Sequence, residues 1–230
     1  IYKPLIQSGY KAFCPTLTDL YNDLKAQRQE RAHEIALALE LFATGSMNMF
    51  AHPTNVDMSN RLICFNIQSL GDQLKPVAML SMLEYINTCV MSNERNDPAA
   101  ATWVYFDEIY LLLRDQLSAQ FLYTSWKRFR KYNAYATGIT QNVQDCLTND
   151  TAYAMLANSE FVCMLRQTKD IDSVVELYGL SDPQKNYLKL AKPGQGILKM
   201  GNNLIPFVND HPTITKIYRL LTTKPGEMEN

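Results

Sequence analysis

The stretch TWVYFDE, residues 102–108, decides the fold class, because an apolar run with the length of a buried strand leads directly into two acidic residues. Other runs with strand character lie at Leu62–Ile67, Ala134–Thr140 and Glu160–Leu165. Segments with helical periodicity separate them, most clearly at 77–90 and 116–132. Strands that alternate with helices of this length predict a mostly parallel sheet with helices on its faces, an α/β fold.

The N-terminal residues have a different, helical pattern. A threonine cap within residues 15–19 predicts one helix, and apolar spacing over 32–42 predicts a second. We therefore divide the chain into a helical subdomain, residues 1–58, and an α/β part, residues 59–230. The α/β part is expected to end with two helices and a hairpin, at 168–178, 182–191, 196–200 and 204–208.

The composition is that of a globular protein with a hydrophobic core, since 47% of the residues are hydrophobic and 20% are charged. A formal charge of −1 provides no global field that would attract nucleic acid or a membrane. The apolar neighbours of Cys64 and Cys163 predict buried free thiols in a reducing compartment. The chain begins without methionine or a signal peptide, so we interpret it as part of a longer protein.

Asp107 and Glu108 are the first candidate functional residues. Ligands bind at the carboxyl ends of parallel strands, which is where both acids are expected. A Walker-B site needs this arrangement, with the first acid near the water shell of Mg²⁺ and the second acting on the attacking water. The alternative is a strand that enters a solvated turn, where the acids have no chemical role.

Gln141 follows the next strand candidate, one helix crossover after the acid pair. A glutamine at the tip of the adjacent strand can hydrogen-bond both a γ-phosphate and the attacking water, so it is a candidate sensor of the phosphate. The alternative role is to cap the following turn, and the spacing agrees equally with both.

A basic segment, WKRFRK at residues 126–131, lies between these two positions. Cations are favourable at the end of a helix, which is one explanation of the segment. Arg128 and Arg130 are also candidates for an arginine finger that reaches the nucleotide of a neighbouring subunit. A contact with nucleic acid, aided by the aromatic residues of the segment, is the third alternative.

Arg166 ends the last strand candidate and is expected at the same edge of the sheet as the acids. It is a candidate nucleotide contact, and the alternative is an ion pair with Asp170 or Asp172. The sequence contains no GxxxxGK[ST] loop, without which an acid pair cannot position ATP. An ATPase therefore requires that this loop precede Ile1 in the parent chain.

A family resemblance covers residues from about Asn55 to Thr223. The stretches that carry it are NVDMSNRLICFNIQSLG, TWVYFDEIYLLL, FLYTSWKRFRKYNAYATGITQNVQDCL, MLANSEFVCMLRQ and GQGILKMGNNLIPFVNDHPTITKIYRLLTTK. They closely resemble the C-terminal half of the ATPase of conjugation and type IV secretion (the VirB-four type), in the RecA-like superfamily of HerA and FtsK motors. The first 50 residues look like the helical insertion of such ATPases.

The resemblance implies a RecA-like core that binds ATP and Mg²⁺. Asp107 would hold Mg²⁺ through water, and Glu108 would be the catalytic base. Arg130, with Arg128 or Lys131, would fall in a basic motif that acts between subunits, and Gln141 would be the polar sensor. The missing phosphate-binding loop departs from the family pattern, so nucleotide binding is expected of the parent and not of this part alone.

The function implied is that of a motor that couples ATP hydrolysis to pilus assembly or to transfer of DNA or protein. Its expected partners are other proteins of the secretion apparatus and further copies of itself. Its expected location is the cytoplasm, at the periphery of the cytoplasmic membrane. Two alternatives stay open: a docking module that does not hydrolyse ATP, and a DNA-translocating motor of the same superfamily.

Overall fold

The computed structural model describes residues 3–7, 9, 14–55, 60–141, 143–147 and 149–222. The chain divides into two compact units, Ile1–Tyr85 and Ile86–Asn230. The subdomain boundary near residue 58 stays a prediction. Within the described ranges, no helix is both long enough and apolar enough to cross a lipid bilayer.

The first unit contains the two predicted helices. Its elements are α1 (Lys3–Gln7), α2 (Leu17–Ala26), α3 (Glu30–Ala43), a 3-10 turn at Asn48–Phe50 and the start of α4 (Lys75–Asn96). The Thr16 hydroxyl caps α2 by accepting from the backbone N–H of Asp19, whose carboxylate accepts from the N–H of Thr16. Helices α2 and α3 pack around Tyr21, Ala36 and Ala43, so both predictions are confirmed.

The predicted strand at Leu62–Ile67 is wrong. These residues have irregular backbone, and Leu62 is 91% exposed. Among the described residues, no other strand pairs with this run. A strand needs a neighbour to satisfy its backbone donors and acceptors, so an apolar composition alone does not form one. Cys64, which we predicted to be buried, is exposed for the same reason.

The second unit contains the parallel strand pair that the sequence predicted. Strand β1 (Thr102–Phe106) lies parallel to β2 (Ala134–Gly138), with Thr102 opposite Ala134 and Phe106 opposite Gly138. The connection between them consists of α5 (Tyr110–Arg114) and α6 (Gln116–Phe129). Parallel strands require such a crossover. The prediction of an α/β fold with parallel strands and flanking helices is therefore confirmed.

The rest of the second unit contains an antiparallel sheet and several helices. The elements in chain order are α7 (Val143–Leu147), α8 (Asp150–Ala157), β3 (Phe161–Met164), α9 (Ile171–Tyr178), α10 (Asp182–Leu190), β4 (Gln195–Met200), β5 (Asn203–Val208) and α11 (Lys216–Leu221). The predicted hairpin is confirmed as β4 and β5. Strand β3 pairs antiparallel with β4 instead of joining the parallel strands, which corrects our prediction. Cys163 on β3 is exposed, although we predicted a buried thiol.

The core of the second sheet lies between its strands and the helices α9 and α10. It consists of six buried side chains: Met164, Ile171, Val174, Leu180, Leu188 and Ile197. Tyr178, at the end of α9, packs against this cluster and is partly buried. The core therefore depends on residues from two of the three strands, β3 and β4, and from both helices.

The partial burial of Tyr178 leads to a prediction about alkaline pH. Desolvation raises the pKa of its phenol from 10.0 to about 12, with a smaller contribution from Cys146. Between these two pH values the folded chain keeps the proton and the unfolded chain loses it. The contribution of Tyr178 to the free energy of unfolding is therefore fully present below pH 10 and is lost as the pH rises towards 12. We expect an ultraviolet titration to show a late phenolate phase near pH 12 that Tyr178→Phe removes. A titration identical in both proteins would contradict this environment.

One face of the parallel strand pair carries large exposed aromatic residues. Trp103, Tyr105 and Tyr135 are 60%, 64% and 49% exposed, and the rings of Trp103 and Tyr135 stack with centroids 4.6 Å apart. The opposite face holds the buried Val104 and Phe106. Parallel sheets are normally covered on both faces, so this aromatic face is expected to attract apolar surface in solution.

We predict that the 230-residue chain associates through this face in a concentration-dependent way. Replacing both stacked residues, Trp103→Ser with Tyr135→Ser, should lower the weight-average mass measured by sedimentation at high concentration. Leu190→Ser is the matched control, because Leu190 is 81% exposed but lies on α10, away from this sheet. A wild-type chain that stays monomeric, or an equal effect of Leu190→Ser, would refute the prediction.

Candidate functional site

The carboxyl ends of β1 and β2 are held side by side by backbone hydrogen bonds that continue beyond the strands. The N–H of Ile139 donates to the carbonyl of Phe106 at 2.8 Å, and the N–H of Ile109 donates to the carbonyl of Ile139 at 3.0 Å. The two loops that follow the strands therefore have a fixed relation to each other. Asp107 and Glu108 lie in the first of these loops, and Gln141 lies in the second.

Glu108 has a left-handed backbone, with φ of +49°. A non-glycine residue in this region stores strain that the surrounding structure must compensate. Part of the compensation comes from Asp107, whose carboxylate Oδ1 accepts a hydrogen bond from the N–H of Glu108 at 3.0 Å. Such strain is frequent at functional sites, because it aims a side chain that an ordinary turn would direct elsewhere.

The side chains of Glu108 and Gln141 meet at this edge. The Nε2 of Gln141 donates to Oε1 of Glu108 at 2.7 Å. Glu108 is half-buried, whereas Asp107 and Gln141 are exposed. The three candidate residues that the sequence placed at the tips of adjacent strands are thus neighbours.

Gly138 and Ile109 are positioning residues that sequence reasoning missed. A Cβ atom built on Gly138 would lie 2.7 Å from Cδ1 of Ile109, so the two strand ends approach more closely than a larger residue would allow without a shift of Ile109. An isolated glycine within a strand pattern is the sequence signal for such an approach. The pair brings the loop of Glu108 close to β2.

The candidate arginines do not share this edge. Helix α6 ends at Phe129, residues 130–132 form a 3-10 turn, and β2 then begins at Ala134. Arg128 and Arg130 therefore lie near the amino ends of the strands, whereas Glu108 lies at their carboxyl ends. Five residues of strand separate the two edges, which is roughly 15 Å. The basic segment cannot act on the acid pair of the same chain.

Arg128 contributes to a shallow cleft of about 280 Å³ between α4 and α6. Its guanidinium lies over the ring of Tyr132 and donates to the hydroxyl of that residue at 3.4 Å. The cleft is lined by Asn87, Leu117, Gln120, Phe121, Thr124, Ser125 and Arg128. None of these residues belongs to the acid pair, so the cleft and the strand-end site are different places.

Arg166 follows β3, in the antiparallel sheet, and not a strand of the parallel pair. The expectation that it shares a sheet edge with Asp107 is therefore wrong, because β3 pairs with β4. The alternative is wrong as well, since among the described residues Arg166 forms no ion pair with Asp170 or Asp172, and the carboxylate of Asp172 accepts a hydrogen bond from Lys185. That contact lowers the pKa of Asp172 and raises the pKa of Lys185.

The residues at the strand ends fit part of a site for ATP and Mg²⁺. Mg²⁺ bound to a nucleotide is held through one or two carboxylates, waters and phosphates, and the exposed carboxylate of Asp107 agrees with that mode. Within the described residues, no group of three or more His, Cys, Asp or Glu could enclose a metal ion. The sequence also lacks the GxxxxGK[ST] loop that would hold the phosphates. The chain thus places an acid pair and a glutamine at the strand ends, and its sequence contains no phosphate-binding loop.

Comparisons with known proteins identify the family and support the fold. The model of the TraG P-loop domain matches residues 19–220. Solved structures similar to this chain include the structure of VirB4 of Thermoanaerobacter pseudethanolicus, with 26% identity and a TM-score of 0.73. That match covers 86% of this chain but 55% of the other, so this chain spans about half of its length. No curated protein matches significantly. The resemblance drawn from the sequence is confirmed, and the chain belongs to the TraG P-loop domain family.

Proposed function

We propose that this chain is the hydrolytic half of an ATP-driven motor of conjugation or type IV secretion. The observation that carries the proposal is the contact between Glu108 and Gln141 at the carboxyl ends of adjacent parallel strands, with Asp107 beside it. Membership of the TraG P-loop domain family and the similarity to VirB4 support the same function. The phosphate-binding loop must come from another part of the parent protein.

Glu108 is the general base in this proposal. It accepts a proton from the attacking water while the water oxygen bonds to the γ-phosphorus and the bond to the β–γ bridging oxygen breaks, which yields ADP and phosphate. Asp107 fixes the backbone of Glu108 through the hydrogen bond of 3.0 Å, and its exposed carboxylate would hold the water shell of Mg²⁺. When bound, Mg²⁺ would neutralise the charge that develops on the phosphates.

Arg128 and Arg130 act outside their own chain in this proposal. They lie at the amino ends of the strands, too far from Glu108 of their own chain to act there. The partner of the basic segment is therefore the nucleotide of a neighbouring subunit or a nucleic-acid backbone. A ring or dimer of identical chains would bring these arginines to a neighbouring acid pair. Arg166, in the antiparallel sheet, is not included among the nucleotide contacts.

The partners and the location follow from the motor function. ATP hydrolysis would drive pilus assembly, or the transfer of DNA or protein, through contacts with other proteins of the secretion apparatus. The motor would act in the cytoplasm, at the periphery of the cytoplasmic membrane.

The test is ATP hydrolysis by the natural chain extended upstream of Ile1, compared with its Asp107→Asn variant. The proposal predicts Mg²⁺-dependent turnover in the wild type and its loss in the variant, because an amide holds the metal shell weakly. Stimulation by DNA that disappears steeply with salt would favour the DNA-translocating motor. Absence of turnover in the wild type would favour a docking module and overturn the proposal.

A further inference from the structure

The amide of Gln141 is engaged with the carboxylate of Glu108. Its Nε2 donates to Oε1 of Glu108 at 2.7 Å, which is a short hydrogen bond to a carboxylate. A side chain that reads a γ-phosphate directly would need its donors to point at the phosphate. Here at least one N–H of Gln141 points at the catalytic carboxylate instead.

The backbone around Glu108 is fixed independently of Gln141. The N–H of Glu108 is bound by Asp107, and the next residue, Ile109, is bound to the carbonyl of Ile139. These backbone contacts leave the side-chain torsions of Glu108 free. A half-buried glutamate without a partner samples several rotamers, and a hydrogen bond to one oxygen selects among them.

We propose that Gln141 is a positioning residue that acts on hydrolysis through Glu108, and not a direct ligand of the γ-phosphate. This inference rests on the proposed function and revises the sensor role that the sequence predicted. Gln141 restrains Oε1 of Glu108 and leaves Oε2 to accept the proton of the attacking water. The geometry favours a contribution to the rate of the chemical step, because nucleotide affinity does not depend on the rotamer of the base.

The experiment compares Gln141→Met with Gln144→Met in the natural chain extended upstream of Ile1. Methionine keeps the length of glutamine but has no donor. Gln144 is a matched control, because its carboxamide oxygen accepts from the hydroxyl of Ser173 on α9. We expect Gln141→Met to lower kcat by about 10- to 100-fold with unchanged affinities for ATP and ADP, and Gln144→Met to change neither. Gln141→Leu, a second variant without a donor, should also lower kcat.

A double-mutant cycle with Glu108→Gln separates positioning from phosphate reading. If Gln141 acts through Glu108, then Gln141→Met causes no further loss of the residual rate in the Glu108→Gln background. A further loss in that background, or an ATP affinity that falls while the ADP affinity holds, would overturn the inference but leave the ATPase intact. A wild type without turnover would instead refute the proposed function, and full turnover in Glu108→Gln would remove Glu108 from the mechanism and overturn the inference.

Discussion

Glu108→Gln is expected to reduce ATP turnover at least about 100-fold in the natural chain extended upstream of Ile1. Glutamine has the size of glutamate but cannot accept the proton of the attacking water. Its carboxamide oxygen can still accept from Gln141, so the contact that now measures 2.7 Å need not be lost. The fold and the affinity for nucleotide should therefore stay unchanged. Steady-state turnover and equilibrium binding of ATP are the two measurements.

The matched control for this variant is Glu176→Gln. Glu176 is an exposed glutamate on α9, away from the strand ends, so the same loss of a negative charge should leave turnover unchanged. An equal loss in both variants would point to a general charge effect. Retained turnover in Glu108→Gln would remove Glu108 from the mechanism.

The strands that the sequence predicted correctly are those that pair with the next strand along the chain. Strands β1 and β2 are joined by a helical crossover of the usual length, and β4 and β5 are joined by a tight turn at Gly201, with φ of +55°. In both cases the residues between the strands determine how the strands pair. Periodicity and turn residues were sufficient there.

The errors concern partners that lie far away in the sequence. Residues 62–67 and strand β3 have similar apolar runs, yet β3 forms a strand because β4 lies beside it. The run at 62–67 has no such neighbour among the described residues. Cys64 is exposed because its run is unpaired, whereas Cys163 is exposed because it lies on the uncovered face of β3. Composition reports the tendency to form a strand, whereas pairing decides the outcome.

The sequence predicted that Asp107, Glu108 and Gln141 lie at one edge, but it did not predict their geometry, and it wrongly placed Arg166 at the same edge. Parallel topology brings Asp107, Glu108 and Gln141 to one edge, and this follows from strand order alone. The φ of +49° at Glu108 and the direction of the Gln141 amide follow from side-chain contacts that no spacing rule contains. The separation of Arg128 from the acids was implied by the topology, because a crossover helix ends at the opposite edge.

Gly196→Ala is expected to destabilise the second unit by roughly 3 kcal/mol, because the added methyl group would overlap the neighbouring strand. A Cβ atom at position 196 would lie 2.4 Å from the backbone carbonyl oxygen of Met164 and 2.9 Å from two ring carbons of Phe207. The ring could move, but the carbonyl belongs to β3, whose residue Met164 pairs with Ile197 of β4. Relief of the clash would therefore loosen the pairing of β3 with β4.

The same substitution has further consequences because Met164 and Ile197 also belong to the core cluster with Leu188. Displacing β3 would open that cluster to solvent and add the cost of exposing buried side chains. Chemical denaturation monitored by circular dichroism should show a lower midpoint for Gly196→Ala. Gly71→Ala is the control, because a Cβ atom there meets nothing within 4 Å and should leave the midpoint nearly unchanged. Equal midpoints for the wild type and Gly196→Ala would mean that β3 does not lie this close to β4 in solution.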